Sequence, residues 1–229
     1  MKLLMLHGAI GSSAQLCPLA QVLGTKYSCH SFDFSGHGQK AASGIPYCVA
    51  AFASETIGYM DDHNIARADV FGYSMGGYVA MYLALHFPER IGKIITLATK
   101  FQWNESIAAK EILMLDAEKI AVKLPAFAKT LNERHTTTDW KDVLKATATM
   151  MTAMGTDNPL KLSDYSQIPH QTLVMLGDRD KMVTLEETVN IYRSLPDAQL
   201  CILPGTAHPI EQLNLQLFEA IAVPFLQAT

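Results

Sequence analysis

The residues best suited to chemistry lie at Gly72-Tyr73-Ser74-Met75-Gly76-Gly77. They follow the apolar run Ala68-Asp69-Val70-Phe71 and precede a segment of helical character, Tyr78 to Phe87. This is G-x-S-x-G set between a strand and a helix. A serine on so tight a turn leaves no room for a Cβ two residues to either side, so glycine belongs at both flanks. The turn holds the serine in a strained backbone conformation with its hydroxyl projecting into a cleft. It also aims the Met75 N–H and a helix N-terminus at whatever the hydroxyl attacks. The chemistry on offer is nucleophilic attack on a carbonyl, with Ser74 as the candidate nucleophile.

A serine hydroxyl is a poor nucleophile at neutral pH and needs an adjacent base. A neutral histidine suits, and a carboxylate must orient it and stabilise its charged form. In open parallel sheets, reactive groups gather beyond the C-terminal ends of strands. The partners of Ser74 are therefore expected just after later strands. The strand Thr172–Leu176 is followed by Gly177-Asp178-Arg179-Asp180, and the last strand, Gln199–Leu203, by Pro204-Gly205-Thr206-Ala207-His208. His208 is the candidate base, since His63, His86, His135 and His170 have no strand end before them. Asp178 and Asp180 both qualify as the acid. Asp180 is favoured because it lies deeper in the loop, whereas Asp178 can face solvent or pair with Arg179. Asp33 precedes Ser74, and its expected role is to bond amides in the turn Asp33-Phe34-Ser35-Gly36-His37-Gly38. Acyl transfer also builds negative charge on a substrate oxygen, which aimed N–H groups stabilise. Met75 supplies one such N–H. The loop His7-Gly8-Ala9-Ile10-Gly11-Ser12 supplies the second, with Ala9 as candidate and the His7 side chain structural.

These groups need a scaffold. Leu3–Leu6, Tyr27–Phe32, Asp69–Phe71 and Ile91–Leu97 read as strands. Segments near Leu16–Leu23, Val49–His63 and Tyr78–Phe87 read as the helices between them; Leu16, Leu19, Ala20 and Leu23 have i, i+3, i+4, i+7 spacing. Alternating strand and helix implies a mostly parallel sheet covered on both faces. The alternation stops between about Thr99 and Gln167. There Asn104 is expected to cap a helix running to about Glu118, Leu124-Pro125 to open a second ending near Arg134, and Thr138 to cap a third through Met154, stopped by Gly155. Thr172 onward returns to strand, helix, strand, helix. The expected division is a core of residues 1–98 and 168–229 with a helical cap, 99–167, inserted in it.

Size and composition exclude several functions. A chain of 229 residues suits one domain with an inserted lobe. A chain of this length buries roughly 70% of its unfolded surface and needs no disulfides. The net charge is −4 and no basic stripe is present, which argues against nucleic acid or an anionic membrane as partner. Cys17, Cys29, Cys48 and Cys201 form no C-x-x-C pair and have no histidines at zinc spacing, so free, buried thiols in a reducing compartment and no metal are expected. The start Met1-Lys2-Leu3-Leu4-Met5-Leu6 is too short an apolar stretch for a signal peptide, and it reads as a buried strand. No run reaches the ~18 apolar residues of a membrane helix. A cytoplasmic monomer or homodimer acting on a small molecule is expected.

Together these residues resemble the α/β-hydrolase fold superfamily. The matches are His7-Gly8 with Gly11, Asp33-x-x-Gly36-His37-Gly38, Gly72-x-Ser74-x-Gly76-Gly77, His86-x-Pro88-Glu89-Arg90-Ile91, Gly177-x-x-Asp180 and Gly205-x-x-His208, in that order along nearly the whole chain. The resemblance implies Asp180 as the triad acid, Ala9 as an oxyanion donor, no cofactor, and residues 99–167 as the family's cap. Two N-terminal strands common in the family are missing from this sequence, so about six strands are expected.

The resemblance fixes machinery and leaves the substrate open. The expected activity is hydrolysis of a carboxylic ester or thioester through an acyl-enzyme. The alternatives are cleavage of a C–C bond or elimination by the same triad, and a ligand receptor on the same fold. A lyase gripping an anionic substrate would need a basic cap, and Arg134 is the only arginine in 99–167. Met114, Met150, Met151 and Met154 suit either the packing of cap helices or an apolar pocket wall. Lys100, Trp103 and His135 stand at or near the cap, where they could hold a carboxylate or ring, or, for Lys100 and His135, simply face solvent. Tyr73 and Met75 flank the nucleophile and are expected to touch substrate, with a core position as the alternative for Tyr73.

Overall fold

The computed structural model describes residues 1–228. Six strands form one sheet: β1 (Lys2–Leu6), β2 (Ser28–Ser31), β3 (Ala68–Tyr73), β4 (Ile91–Leu97), β5 (Thr172–Gly177) and β6 (Ala198–Leu203). Their order is β2-β1-β3-β4-β5-β6, and every pairing is parallel. Parallel neighbours need crossovers, and helices supply them.

Both faces of the sheet are buried, which is why the strands are apolar runs rather than alternating ones. In β1, Leu4 and Leu6 point to one face and Leu3 and Met5 to the other. The first face packs α2 (Val49–Asp62), α3 (Met75–His86) and α8 (Leu185–Ser194) through Phe52, Val79, Met81 and Ile191. The second packs α1 (Cys17–Leu23) and α9 (Leu215–Gln227) through Leu19, Leu23, Phe218 and Ala222. Each fully buried side chain of this size contributes roughly 1.5–3 kcal/mol relative to exposure. The two cores therefore hold the strand ends in register. Among the described residues no helix is long and apolar enough to cross a membrane.

Between β4 and β5 lie only helices among the described residues: α4 (Glu105–Ile112), α5 (Ala117–Lys123), α6 (Pro125–Arg134) and α7 (Trp140–Thr156), with short 3₁₀ turns. Asn104 caps α4 by accepting from the Ile107 N–H at 2.9 Å. Two sequence expectations are corrected here. The first helix stops at Ile112 instead of near Glu118, because Asp116 caps a new helix by accepting from the Lys119 N–H at 3.0 Å. The third is capped by Asp139, not Thr138, and ends at Thr156, one residue beyond Gly155. Gly155 faces α4, where a Cβ would stand 2.6 Å from the Ala108 Cβ and 3.0 Å from the Asn104 carbonyl oxygen. The glycine marks a close helix crossing in the last turn of α7.

Candidate active site

The C-terminal ends of the parallel strands open on one side of the sheet, and five of the six lead into loops that meet there. The turn from β3 into α3 carries Ser74 at φ 51°, ψ −116°, a region that costs of order 1–3 kcal/mol for a residue other than glycine. The flanking glycines permit it. A Cβ on Gly76 would lie 2.2 Å from the Leu6 carbonyl oxygen, and one on Gly72 would lie 2.5 Å from the Gly76 backbone. The Ser74 N–H donates to the Leu97 carbonyl at 2.8 Å, pinning the turn to the end of β4.

The loops after β5 and β6 are tied together. The Asp178 N–H donates to Leu203 and the Arg179 N–H to Thr206, each at 3.0 Å. This pairing brings His208 to Asp180, with Nδ1 2.7 Å from Oδ2. The other oxygen of Asp180 accepts from the amides of Met182 and Val183 at 2.8 and 2.9 Å. Burial pushes the Asp180 carboxyl up, but the bond and charge of His208 and the two amides outweigh it and leave the group below its ordinary value. Asp178 points elsewhere: Oδ1 accepts from the Thr206 N–H at 3.3 Å, and the carboxylate lies 3.8 Å from Arg179.

Ser74 and His208 line one narrow cleft of about 40 Å³ together with Ala9, Met75, Lys100 and Trp103. Met150, Met151 and Met154 of α7 and Glu111 of α4, from the helices between β4 and β5, line the same cleft. The N–H groups of Ala9 and Met75 find no acceptor among the described residues. A hydroxyl, a carboxylate-oriented imidazole and two free N–H groups around an apolar cleft can together carry acyl transfer.

Two expectations are corrected. Tyr73 does not line the cleft: its side chain turns beneath the loop after β6, and its hydroxyl donates to the His208 carbonyl at 3.0 Å. Strand alternation is the reason, since Tyr73 sits on the face that packs α1 and α9. His135 is also absent from the cleft. It is buried, accepts from the Gly38 N–H at 3.0 Å through Nδ1, and donates through Nε2 to the Ile10 carbonyl at 3.1 Å. Arg134 donates to the same carbonyl at 3.0 Å. The pair braces the loop that bears Ala9, and Ile10 there has a positive φ of 51°.

His7 is fully buried, donating through Nδ1 to the Gly8 carbonyl at 2.8 Å and accepting from the Phe34 N–H at 3.1 Å. Burial holds it down at about 4, despite the Gly8 bond and the nearby Asp33 charge. Sequence reasoning missed Glu111. Its position four residues after Ile107 and three after Ala108 places it on the inner face of α4, and that spacing was the available signal.

A family model described as the alpha/beta hydrolase fold matches residues 2–138. The 2-hydroxy-6-oxononadienedioate/2-hydroxy-6-oxononatrienedioate hydrolase of Comamonas testosteroni is 27% identical over 191 residues, covering 74% of this chain and 66% of that protein. The 3-oxoadipate enol-lactonase 2 of Acinetobacter baylyi is 34% identical over 83 residues, covering 36% and 31%. The chain thus spans just under two thirds of the first relative and under one third of the second. A solved structure of a hydrolase from Pseudomonas aeruginosa superposes with TM-score 0.81 at 22% identity, covering 99% of this chain and 89% of that one, a likeness of fold. With the elbow, the six parallel strands and the family match in agreement, the chain belongs to the α/β-hydrolase fold family.

Proposed function

We propose that the protein is a serine hydrolase acting on a small ester-type substrate, a carboxylic ester or thioester. The observation that carries this reading is the 2.7 Å contact between His208 and Asp180 in the cleft that also holds the strained Ser74. In the proposed cycle His208 accepts the Ser74 proton as Oγ bonds to the substrate carbonyl carbon. The N–H groups of Ala9 and Met75 hold the oxyanion. Collapse breaks the bond to the leaving alcohol or thiol, which takes the proton from His208, and leaves acyl-Ser74. Water then attacks with His208 as base, releasing the acid and restoring the serine. Asp180 orients the imidazole and stabilises its charged form throughout. The cycle needs no metal or organic cofactor; a monomer or homodimer in the cytoplasm is part of the same proposal.

A second reading, hydrolysis of a C–C bond by the same residues, is favoured by the relative named for a 2-hydroxy-6-oxononadienedioate substrate. Short p-nitrophenyl esters and a dienone substrate separate the two. Rapid ester turnover that disappears in Ser74→Ala, with a Ser74 adduct from a fluorophosphonate, supports the first. Slow ester turnover beside fast dienone consumption supports the second. An unlabelled Ser74 with no turnover of either would point to a ligand receptor.

A further inference from the structure

One buried charge in the cleft has no task in the ester chemistry. The Lys100 ammonium stands between two buried carboxylates, 3.4 Å from Oε1 of Glu111 and 3.6 Å from Oε2 of Glu187. The two acids are not equivalent. Glu187 is saturated: Oε1 accepts from the Phe101 and Gln102 amides, and Oε2 from the Thr184 amide and hydroxyl. It anchors the chain leaving β4 and caps α8. Glu111 is different. Its side chain is only 6% exposed, Oε2 has no hydrogen-bond partner among the described residues, and the residue lines the same cleft as Ser74.

Leaving a buried carboxylate oxygen unpaired is costly, and a structure tolerates it where a ligand supplies the partner. The cleft that Glu111 lines is otherwise largely apolar, with Trp103, Met150 and Met154 among its walls. One ammonium against two carboxylates leaves the cluster with a net charge of −1. That balance is wrong for an anionic group and right for a hydrogen-bond donor.

We propose that Glu111, held by Lys100, is a specificity-determining subsite that receives a hydrogen-bond donor, a hydroxyl or an amine, on the acyl group bound above Ser74, and that it rejects a carboxylate there. This assignment rests on the proposed reading that the acyl group of an ester occupies the cleft. It separates the substrate from diacid-derived ones. It also gives Lys100 the role of positioning Glu111 rather than gripping an anion.

The test measures binding without turnover. Methyl esters of straight-chain acids ending in methyl, hydroxyl, ammonium or carboxylate, over a range of chain lengths, are titrated calorimetrically into Ser74→Ala. At the best length, the hydroxyl or ammonium terminus is expected to bind roughly tenfold tighter than the methyl one, and the carboxylate at least roughly tenfold weaker. The hydroxyl and ammonium arms tell a neutral donor from a cationic one. In the Ser74→Ala/Glu111→Gln protein the ratio of methyl-terminated to carboxylate-terminated affinity is expected to fall about tenfold. A uniform loss across all termini would mean a purely structural Glu111 and would overturn the proposal. So would equal affinity for all termini, including no measurable binding of any, or tightest binding of the carboxylate. Should the double variant fail to fold, the order in Ser74→Ala alone decides. Hydrolysis assays with Ser74 intact are read separately. If they show no turnover of any ester, the ester reading fails while the binding order stands.

Discussion

Ser74 sits at φ 51°, ψ −116°, a conformation nearly reserved for glycine. Two outcomes follow at this scale. Ser74→Gly and Ser74→Ala should both lose hydrolytic turnover. The glycine variant relieves the strain and should melt at a higher temperature than the alanine variant, by about 1–2 kcal/mol of stability after the entropy of the unfolded glycine is counted. Equal melting temperatures would show that the turn stores no strain. For Asp180, replacement by Asn keeps the shape but favours the wrong imidazole tautomer. A loss on the order of 10⁴ in kcat is expected, as serine proteases show for the corresponding change. Asp178→Asn, remote from His208, should stay within a few-fold of wild type. If Asp178→Asn proved the more damaging of the two, Asp180 would not be the acid.

Elements set the distances between these residues. Gly155 illustrates this, because its missing side chain lets α7 lie against α4, the helix that presents Glu111. Gly155→Val forces a branched side chain into 2.6 Å of space. It should lower stability by about 1–3 kcal/mol in urea titration. Because α7 also carries Met150, Met151 and Met154, KM should rise with it while labelling of Ser74 by a fluorophosphonate persists. Unchanged stability would mean that the two helices can part without cost. The brace from Arg134 and His135 to the Ile10 carbonyl works at the same scale, joining the insertion to the loop that presents Ala9.

At the scale of the whole molecule, buried histidines govern the response to acid. His7 and His37 are held at about 4 and about 3, in both cases first by burial, and His135 is lowered for the same reason. A histidine whose folded pKa is depressed binds its proton only in the unfolded chain once the pH falls below about 6.5. The unfolded state then carries more protons, so stability drops as pH falls, until the folded pKa is reached. Each of His7 and His37 should remove about 1.4 kcal/mol per pH unit between roughly pH 6 and their folded values. Asp180 and Asp33, both depressed, add loss of the same sign in the carboxylate range. Urea unfolding across that window should show a steep acid limb and a flat profile above pH 7. A flat profile down to pH 5 would contradict the buried neutral state. His37→Gln should make the limb shallower by about one proton.

The sequence by itself determined the architecture and the chemical kit. Apolar runs between amphipathic segments demand a parallel sheet covered on both faces, and Gly72-x-Ser74-x-Gly76 demands a tight turn with a serine at its apex. Local order along the chain was enough for that, because strand ends, caps and glycine turns are encoded by neighbouring residues. Choosing between Asp178 and Asp180 by contact took the tertiary structure, since it depends on how the loops after β5 and β6 fold over one another. The same holds for Tyr73, whose side of the sheet outweighs its place beside the nucleophile. It holds most for Glu111 and Lys100, which look like ordinary surface charges in a polar stretch. Only the packing of α4 against α7 and the approach of Glu187 on α8 to Lys100 enclose them beside the serine, and burial is what separates them from solvated surface charges.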